Sequence, residues 1–581
     1  MTKRRKMTQI RKILRHRGLR AAAVLAAAIG TVLLVLMPPA TRMTPPFTGG
    51  PPTVRGAYHL HSNRSDGSGS IDEIAAAAAR AGLAFMVVTD HGDGTRSPDA
   101  PQYRRGVLVI DAVELNTNAG HLVALGLPVA PYPLAGTAAD VLEDVRRLGG
   151  FGIAAHPDSP RPALAWQSWD AGVDGIEWIN ADSGWRDESG LALARAVLSF
   201  GLRPAAAMAA LLDRPTDLLA RWDAMGATRS VPALAAADAH ARLGFRQTTD
   251  PDVSSLHLPL PGYEAVFRTF SNHVVLDQPL TGNGPADGAS VLAALRQGRS
   301  FTVVDALATP GGLDFTATSR GRPMARPGDS LPRDGEVTLH ARISGPPGTT
   351  LRVLRNGGLV QETLEGALSV RAEAGVYRVE AYTAGGPGTP PVPWLLSNPV
   401  YVGLPRPPVA ISDQTALRSR IPARTADVTV EKGVGDTSEL VAAQSEDARE
   451  RRLAGEPSIG WRFALSSGMP AGQFSAVQLP TTGGLADFER VRFTVTSGSP
   501  VRAWVQLRAG TESERWGRTF HADAGTRIVD LPLRSFTSIG ATSMIAPPLD
   551  RIDSLLFVVD TLNNRPGASG RMTIAEIAFV R

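Results

Sequence analysis

Five short strand-like runs in the first half of the chain each deliver a histidine or an acid at or just past their carboxyl ends, and this regularity constrains the fold more than any other feature. The first run, 57–61, leads into His59-Leu60-His61-Ser62-Asn63-Arg64-Ser65-Asp66-Gly67. Alternate side chains of an extended strand share a face, so His59 and His61 project together, and a turn of small residues can bring Asp66 back beside them. Alone, a His-x-His pair is a weak signal for metal. It gains weight from Thr89-Asp90-His91 after 84–88, Glu114 after 106–113 with His121 opening the next run, His156-Pro157-Asp158 after 151–155, and Asp238-Ala239-His240 after 231–237.

Helical patterns separate these runs. Ser70 can cap a helix to Arg80, with Glu73 at the capping-box position and Gly82 as its stop. Further helices are expected over 137–148, 188–200, 216–225 and 289–297, and further strands over 121–127, 174–180, 203–209 and 300–307. Alternation of this kind predicts a parallel sheet and, with this many units, a closed or nearly closed (β/α) barrel. In such barrels the working groups sit at the C-terminal ends of the strands, where these histidines and acids fall.

The chain has no cysteine, which removes disulfides and thiolate ligands and leaves His and carboxylate ligands, suited to Zn, Mn, Fe or Mg. Its 581 residues are too many for one core. The net charge of +5 is misleading, because nine of the 60 Lys and Arg lie in the first 20 residues with no acid among them. The other 51 face 55 acidic residues, a net −4, so no phosphate-backbone footprint is expected and nucleic acid is disfavoured as a partner.

Residues 21–41 carry no charge and hold the run Ala21 to Met37 behind that basic flank. This reads as a transmembrane signal anchor with its amino side cytoplasmic and the bulk outside, in preference to a cleaved signal peptide of a secreted or periplasmic protein. Residues 42–53, rich in Pro and Gly, read as a linker.

At the residues quoted above the chain resembles the polymerase and histidinol phosphatase (PHP) family of metal-dependent phosphoesterases. The first motif looks like His59-x-His61-Ser62 with Ser65-Asp66-Gly67, and the second like Thr89-Asp90-His91. Glu114 with Gly120-His121-Leu122-Val123-Ala124-Leu125-Gly126, Ala155-His156-Pro157, and Asp238-Ala239-His240 look like the others. The resemblance covers roughly residues 54–305 and implies a distorted seven-stranded (β/α) barrel holding two or three divalent ions. It assigns His59, His61, Glu114 and Asp238 to one ion, Asp66, His91 and His240 to a second, and Glu114, His121 and His156 to a third, with Glu114 bridging. Some family members have His where this chain has Asp66.

Such a cluster would lower the pKa of a bridging water and neutralise phosphoryl oxygens, the two demands of phosphate-ester hydrolysis. The expected reaction is in-line attack of metal-bound hydroxide on a small-molecule phosphate ester, with Asp66 or His240 handling a proton. Arg64, Arg96 and Arg161 are candidate phosphate clamps. Trp166, Trp169, Trp178 and Trp185 are candidates to line a cleft, with core packing as the plainer alternative. His257 and His273 match no motif.

The fold class expected is therefore multidomain: the transmembrane segment, an α/β distorted (β/α)7 barrel over 54–308, and two all-β domains. These are a β-sandwich over 309–403 and, past a connector at 404–427, a jelly roll over 428–581 that loosely resembles galactose-binding-like domains. Trp461, Trp504 and Trp516 could stack on carbohydrate there, or belong to the sandwich core. Two alternatives to the hydrolase come from this reading: a surface carbohydrate-binding protein with a non-catalytic barrel, and a nuclease of the same family.

Overall fold

The alternation of strand and helix takes shape in the computed structural model, which describes residues 30, 37–244, 257–258, 260–319, 322–332, 335–404, 418–420, 427–442, 458–468, 472–481, 483–510, 514–539 and 544–581. The basic segment and most of the expected membrane span lie outside the described residues, as does most of the 404–427 connector. Among the described residues no helix is long and apolar enough to cross a membrane.

The first unit runs β1 (Thr53–Tyr58), α1 (Ile71–Arg80), β2 (Phe85–Val88), β3 (Val107–Asp111), β4 (Val113–Thr117), β5 (Gly120–Leu125), α2 (Ala138–Arg147), β6 (Phe151–Ala154) and β7 (Gly175–Asn180). It continues with α3 (Gly190–Phe200), α4 (Pro204–Ala209), α5 (Thr216–Gly226), β8 (Ala233–Ala236), α6 (Tyr263–Phe267), β9 (Ser271–Val275), α7 (Gly284–Arg296) and β10 (Ser300–Val303). Local chemistry sets several boundaries. Ser70 and Glu73 form the full capping box on α1, Thr137 caps α2, and Gly82 turns the chain at φ +74°.

Strands β1, β2 and β3 run parallel, as do β6, β7 and β8. The two sheets meet where Leu60 bridges Ala239 and the Ala237 N–H donates to the Tyr58 carbonyl (2.9 Å). At the other seam β4 pairs in parallel with His91–Gly92. One strand departs from the expected parallel order: β5 is antiparallel to both β4 and β6. The reason is length, since only two residues separate β4 from β5, and a parallel crossover needs a dozen or more. Gly120, at φ +109° with the Ala165 carbonyl against it, makes that turn.

A second departure concerns 203–209, expected as a strand and found as helix α4. Pro204 occupies the first helical position and four of the next five residues are alanine, so intrinsic helix preference outweighs the apolar run. The linker reading of 42–53 describes a segment that lies along the body. Arg42–Met43 pairs with Ala308–Thr309, the Ser344 hydroxyl donates to the Pro45 carbonyl (2.6 Å), and Arg342 sits over the Phe47 ring.

Downstream, the chain is rich in β-sandwich. Leu395–Ser397 pairs on one side with β10 and on the other with Gly375–Tyr382, so the sheet of the first unit runs on into the next as a 12-stranded sheet. A four-stranded antiparallel sheet faces it. The last unit consists of two six-stranded sheets around a core that includes Trp461, Phe493, Trp516, Phe520 and Phe557. Trp461 and Trp516 are fully buried there and cannot stack on sugar, whereas Trp504 lies half-buried on the other face of its sheet.

The last unit is fixed to the first by charge. The Arg502 guanidinium, almost fully buried, pairs with Asp140 (3.0 Å), Asp144 (2.8 Å) and Glu143 (3.2 Å) of α2, and Arg518 adds a second contact to Asp140 (2.9 Å).

Candidate metal centre

Strand β1 stops at Tyr58, so strand alternation is not what brings His59 and His61 together. His59 turns into the left-handed region at φ +64°, and His156 and Asp238, each just past a strand end, do the same at +29° and +42°. This region is disfavoured for residues with a Cβ. Such strain persists where the surroundings over-determine it. Here the His61 N–H bonds the Ala239 carbonyl (3.2 Å) and the His156 N–H bonds Glu177 (2.6 Å). Gly67 closes the loop after His61 so tightly that a Cβ would collide with the His61 carbonyl.

All nine sequence-derived candidates converge. His59 Nε2 lies 3.2 Å from Glu114 Oε2 and 3.1 Å from His61 Nε2, and His61 Nε2 lies 3.1 Å from the same Glu114 oxygen. Asp238 Oδ1 is 3.5 Å from both imidazole nitrogens. The other Glu114 oxygen approaches His121 Nδ1 (2.9 Å) and His156 Nε2 (3.1 Å). Asp66 Oδ2 is 3.0 Å from His240 Nε2, and Asp66 Oδ1 is 3.3 Å from His61 Nδ1 and 3.9 Å from His91 Nε2.

These residues fit divalent ions. Four ligands at about 2.0–2.1 Å around a tetrahedral ion stand roughly 3.3 Å apart, which is the spacing of the His59, His61, Glu114 and Asp238 atoms. The buried Nδ1 atoms of His61 and His91 face carboxylate oxygens at 3.3 and 3.4 Å, yet neither has a hydrogen-bond partner among the described residues. Three overlapping sets bring ligand atoms within 4.8 Å of one another: His61, Asp66, His91 and His240; His59, His61 and Glu114; and His91, Glu114 and His121.

A supporting layer, which the sequence reading did not single out, holds these ligands. Glu177, on β7, accepts from His59 Nδ1 (2.6 Å), from the His156 N–H and from Asn180 Nδ2 (3.1 Å). Asn180 in turn donates to Asp238 Oδ2 (3.0 Å). Asp90 accepts from the Ser62 N–H (2.7 Å) and from the hydroxyls of Ser62 (2.6 Å) and Ser65 (2.7 Å), fixing the loop that carries Asp66. The Tyr263 hydroxyl bonds the carbonyls of His61 (2.8 Å) and His240 (3.2 Å). The signal available in sequence was the Glu177-x-x-Asn180 pair closing an apolar strand.

The electrostatics follow from burial and proximity. Burial pulls the His59 imidazole down, but Glu177, Asp238 and Glu114 outweigh it and hold it well above its ordinary pKa. His156 is likewise pushed up to about 9, burial opposing and Glu114 prevailing. Burial alone would raise Glu114 and Asp238; the surrounding imidazoles hold both well below the carboxylate range. His91 is lowered by burial, with Glu114 only partly compensating. The carboxylate field that retains protons on these imidazoles is the field that would retain dications in their place.

The centre is least buried at Asp66, His91 and His240, whose side chains are 11, 21 and 20% exposed against 8% or less for the other six. Arg64 pairs with Asp99 and lies 3.5 Å from Asp111, and Arg96 is held by both Asp111 oxygens (2.9 and 2.8 Å), so both guanidinia are engaged by carboxylates. Arg161 lies in the loop after His156, where its N–H bonds the Ser159 hydroxyl (3.4 Å). Trp178 is fully buried and bonds the Thr302 hydroxyl, Trp166 is buried, and Trp169 packs under Arg221. His273 is buried against the Phe301 ring. A cleft of about 270 Å³ begins at His156 and Glu177 and is lined further out by Asp158, Asp187, Asp213 and Asp217.

No family model matches the sequence, and no curated protein matches it. Among solved structures, a two-domain protein from Bacteroides vulgatus containing a predicted PHP-like metal-dependent phosphoesterase is 15% identical, covering 59% of this chain and 94% of its own at a TM-score of 0.27. A family 11 carbohydrate-binding module from Clostridium thermocellum is 14% identical, covering 29% of this chain and 96% of its own at a TM-score of 0.23.

Proposed function

We propose that the chain is a metal-dependent phosphoesterase acting on a small phosphate ester outside the cytoplasm, anchored by residues 21–41. The observation that carries this reading is the convergence of five imidazoles around Glu114, with Asp66, Asp238 and His240 completing the set, from strands and the loops after them that lie about 180 residues apart in sequence. Two or three dications held there would supply an activated water and neutralise charge on the phosphoryl oxygens.

The chain's own residues supply the rest. Glu177 keeps a proton on His59 Nδ1, which leaves Nε2 free to face the centre. Asn180 orients Asp238. Burial and the neighbouring His61 lower the His240 pKa, and Asp66 with Asp238 more than restore it. The Asp66–His240 pair lies on the open side, and whichever of the two does not hold an ion is placed to carry a proton to the leaving alkoxide. The carboxylates lining the cleft oppose a polyanionic strand and favour a small ester over a nuclease substrate.

The test is a panel of phosphomonoesters and diesters assayed with the full chain, with and without chelator, and with His91→Ala. Chelator-sensitive hydrolysis that falls on the order of 10²-fold in His91→Ala is expected. Hydrolysis that survives both treatments would remove the proposal.

A further inference from the structure

Helix α3 is apolar on every face, Arg195 being its one charged residue, yet Ser199 is its only buried one. Leu191 and Val197 are 79 and 74% exposed, and Leu198 and Leu202 are exposed beside them. A helix hydrophobic all round belongs in a core or in hydrocarbon, and contiguous exposed apolar surface marks a contact site.

Behind this helix runs a groove of about 400 Å³, lined chiefly by Leu193, Ala196, Val197, Phe200, Met208 and Leu211, with Leu260 at its rim. Gly184 and Leu212 line both this groove and the polar cleft that begins at His156 and Glu177, so the two are neighbours that share a wall. The chain also enters beside α3. Arg203 donates to the Pro38 carbonyl (2.7 Å), and Pro38, Pro39 and Leu191 line a common cavity. Pro38 and Pro39, which follow the uncharged run 21–36 in sequence, therefore lie next to α3.

From this arrangement we infer that the substrate is a phosphate ester carrying a long hydrocarbon chain, taken from a bilayer on which α3 rests, with its chain in the groove and its phosphate at the metal centre. The inference rests on the phosphoesterase reading above and names its substrate class. The groove has room for on the order of a dozen methylene groups, taking each as the ~30 Å³ of a liquid water. Each methylene buried favours binding by roughly fourfold.

The experiment uses the full chain reconstituted in phosphatidylcholine vesicles, loaded with Zn or Mn, and given butyl and dodecyl phosphate, each as monoester and methyl diester. The dodecyl ester is expected to exceed the butyl ester in kcat/KM by about 100-fold or more. Partition into the vesicle alone could favour the longer ester, so the decisive comparison is Ala196→Trp, which fills the groove, with Leu260→Glu at the rim as a second variant. Both should cut the chain-length advantage at least about tenfold through KM and leave butyl phosphate unchanged. Independently of turnover, a dodecyl phosphate bearing a chain-terminal diazirine should label α3 and α4 on irradiation. Butyl turnover without a chain-length advantage, an advantage untouched by both variants, or labelling elsewhere would overturn the inference alone, as expected if residues 245–256 or a second copy of the chain covered the groove. No turnover of either ester would refute the phosphoesterase reading, and this inference with it.

Discussion

Replacing Glu177 by glutamine changes one atom in a side chain that touches no ion, yet it is expected to weaken metal binding about 10- to 100-fold. The Glu177 carboxylate is buried and accepts three hydrogen bonds, from His59 Nδ1, from the His156 N–H and from Asn180. Glutamine has one acceptor oxygen, so if it serves His59, its amide nitrogen confronts the His156 N–H, donor against donor. One buried N–H left unpaired costs about 1–3 kcal/mol. Loss of the negative charge also removes what holds the His59 proton on Nδ1. A 10- to 100-fold change corresponds to about 1.4–2.7 kcal/mol, the size found when a hydrogen-bond partner of a metal ligand is lost, and the two figures agree. The assay is equilibrium dialysis of the full chain against a buffered series of free Zn or Mn, with metal per chain determined by plasma emission. Circular dichroism would confirm that the fold survives. An affinity within twofold of the unaltered chain would refute the reasoning, because Glu177 would then be a bystander.

Three further outcomes are expected. Arg502→Ala removes the buried partner that Asp140 and Asp144 share, leaving them Arg518 and Arg147, and should destabilise the chain by about 1–3 kcal/mol, read as a lower urea midpoint; a midpoint unchanged from the unaltered chain would contradict that role. His273, whose pKa burial and then Arg55 push down to about 3, takes up a proton near pH 6.5 only when unfolded. Acid therefore favours unfolding progressively between about pH 6.5 and 3, by an amount on the order of 4 kcal/mol, and His273→Phe should flatten this limb relative to the unaltered chain; parallel acid limbs would contradict it. Removing the phenolic hydroxyl in Tyr263→Phe unties the carbonyls of His61 and His240 and the Gly69 N–H, and should raise KM for a phosphate ester several-fold while lowering stability by about 1–3 kcal/mol; an unchanged KM would contradict that role.

How far the sequence disclosed this structure depended on the kind of signal. The capped helix at Ser70, the strand ends before Asp90 and His156, and the nine ligand candidates were legible because caps, breakers and polar residues closing apolar runs are local chemistry, whereas Glu114, expected to close a strand, lies inside β4 because the 106–113 run breaks at Ala112. Helix α4 was misread as a strand because an Ala-rich apolar stretch carries no period, and only Pro204 at its start marked the helix. The antiparallel β5 was hidden in the shortness of the 117–120 connection. Glu177 and Asn180 were invisible as partners because their role depends on strands that meet only in three dimensions. Arg64 and Arg96 looked free on sequence, and no local pattern announced that Asp99 and Asp111 would engage them. Helix α3 ran the other way: its apolarity was legible, and only its exposure gave that apolarity a meaning.

The most direct measurement is the metal content of the purified full chain combined with anomalous diffraction at the metal edge. Two or three dications per chain, each within about 2.0–2.3 Å of atoms from His59, His61, Glu114, Asp238 or the neighbouring Asp66, His91, His121, His156 and His240, is the predicted result. A chain that retains no divalent metal after dialysis, with these nine side chains paired only to one another, would contradict the account at its root.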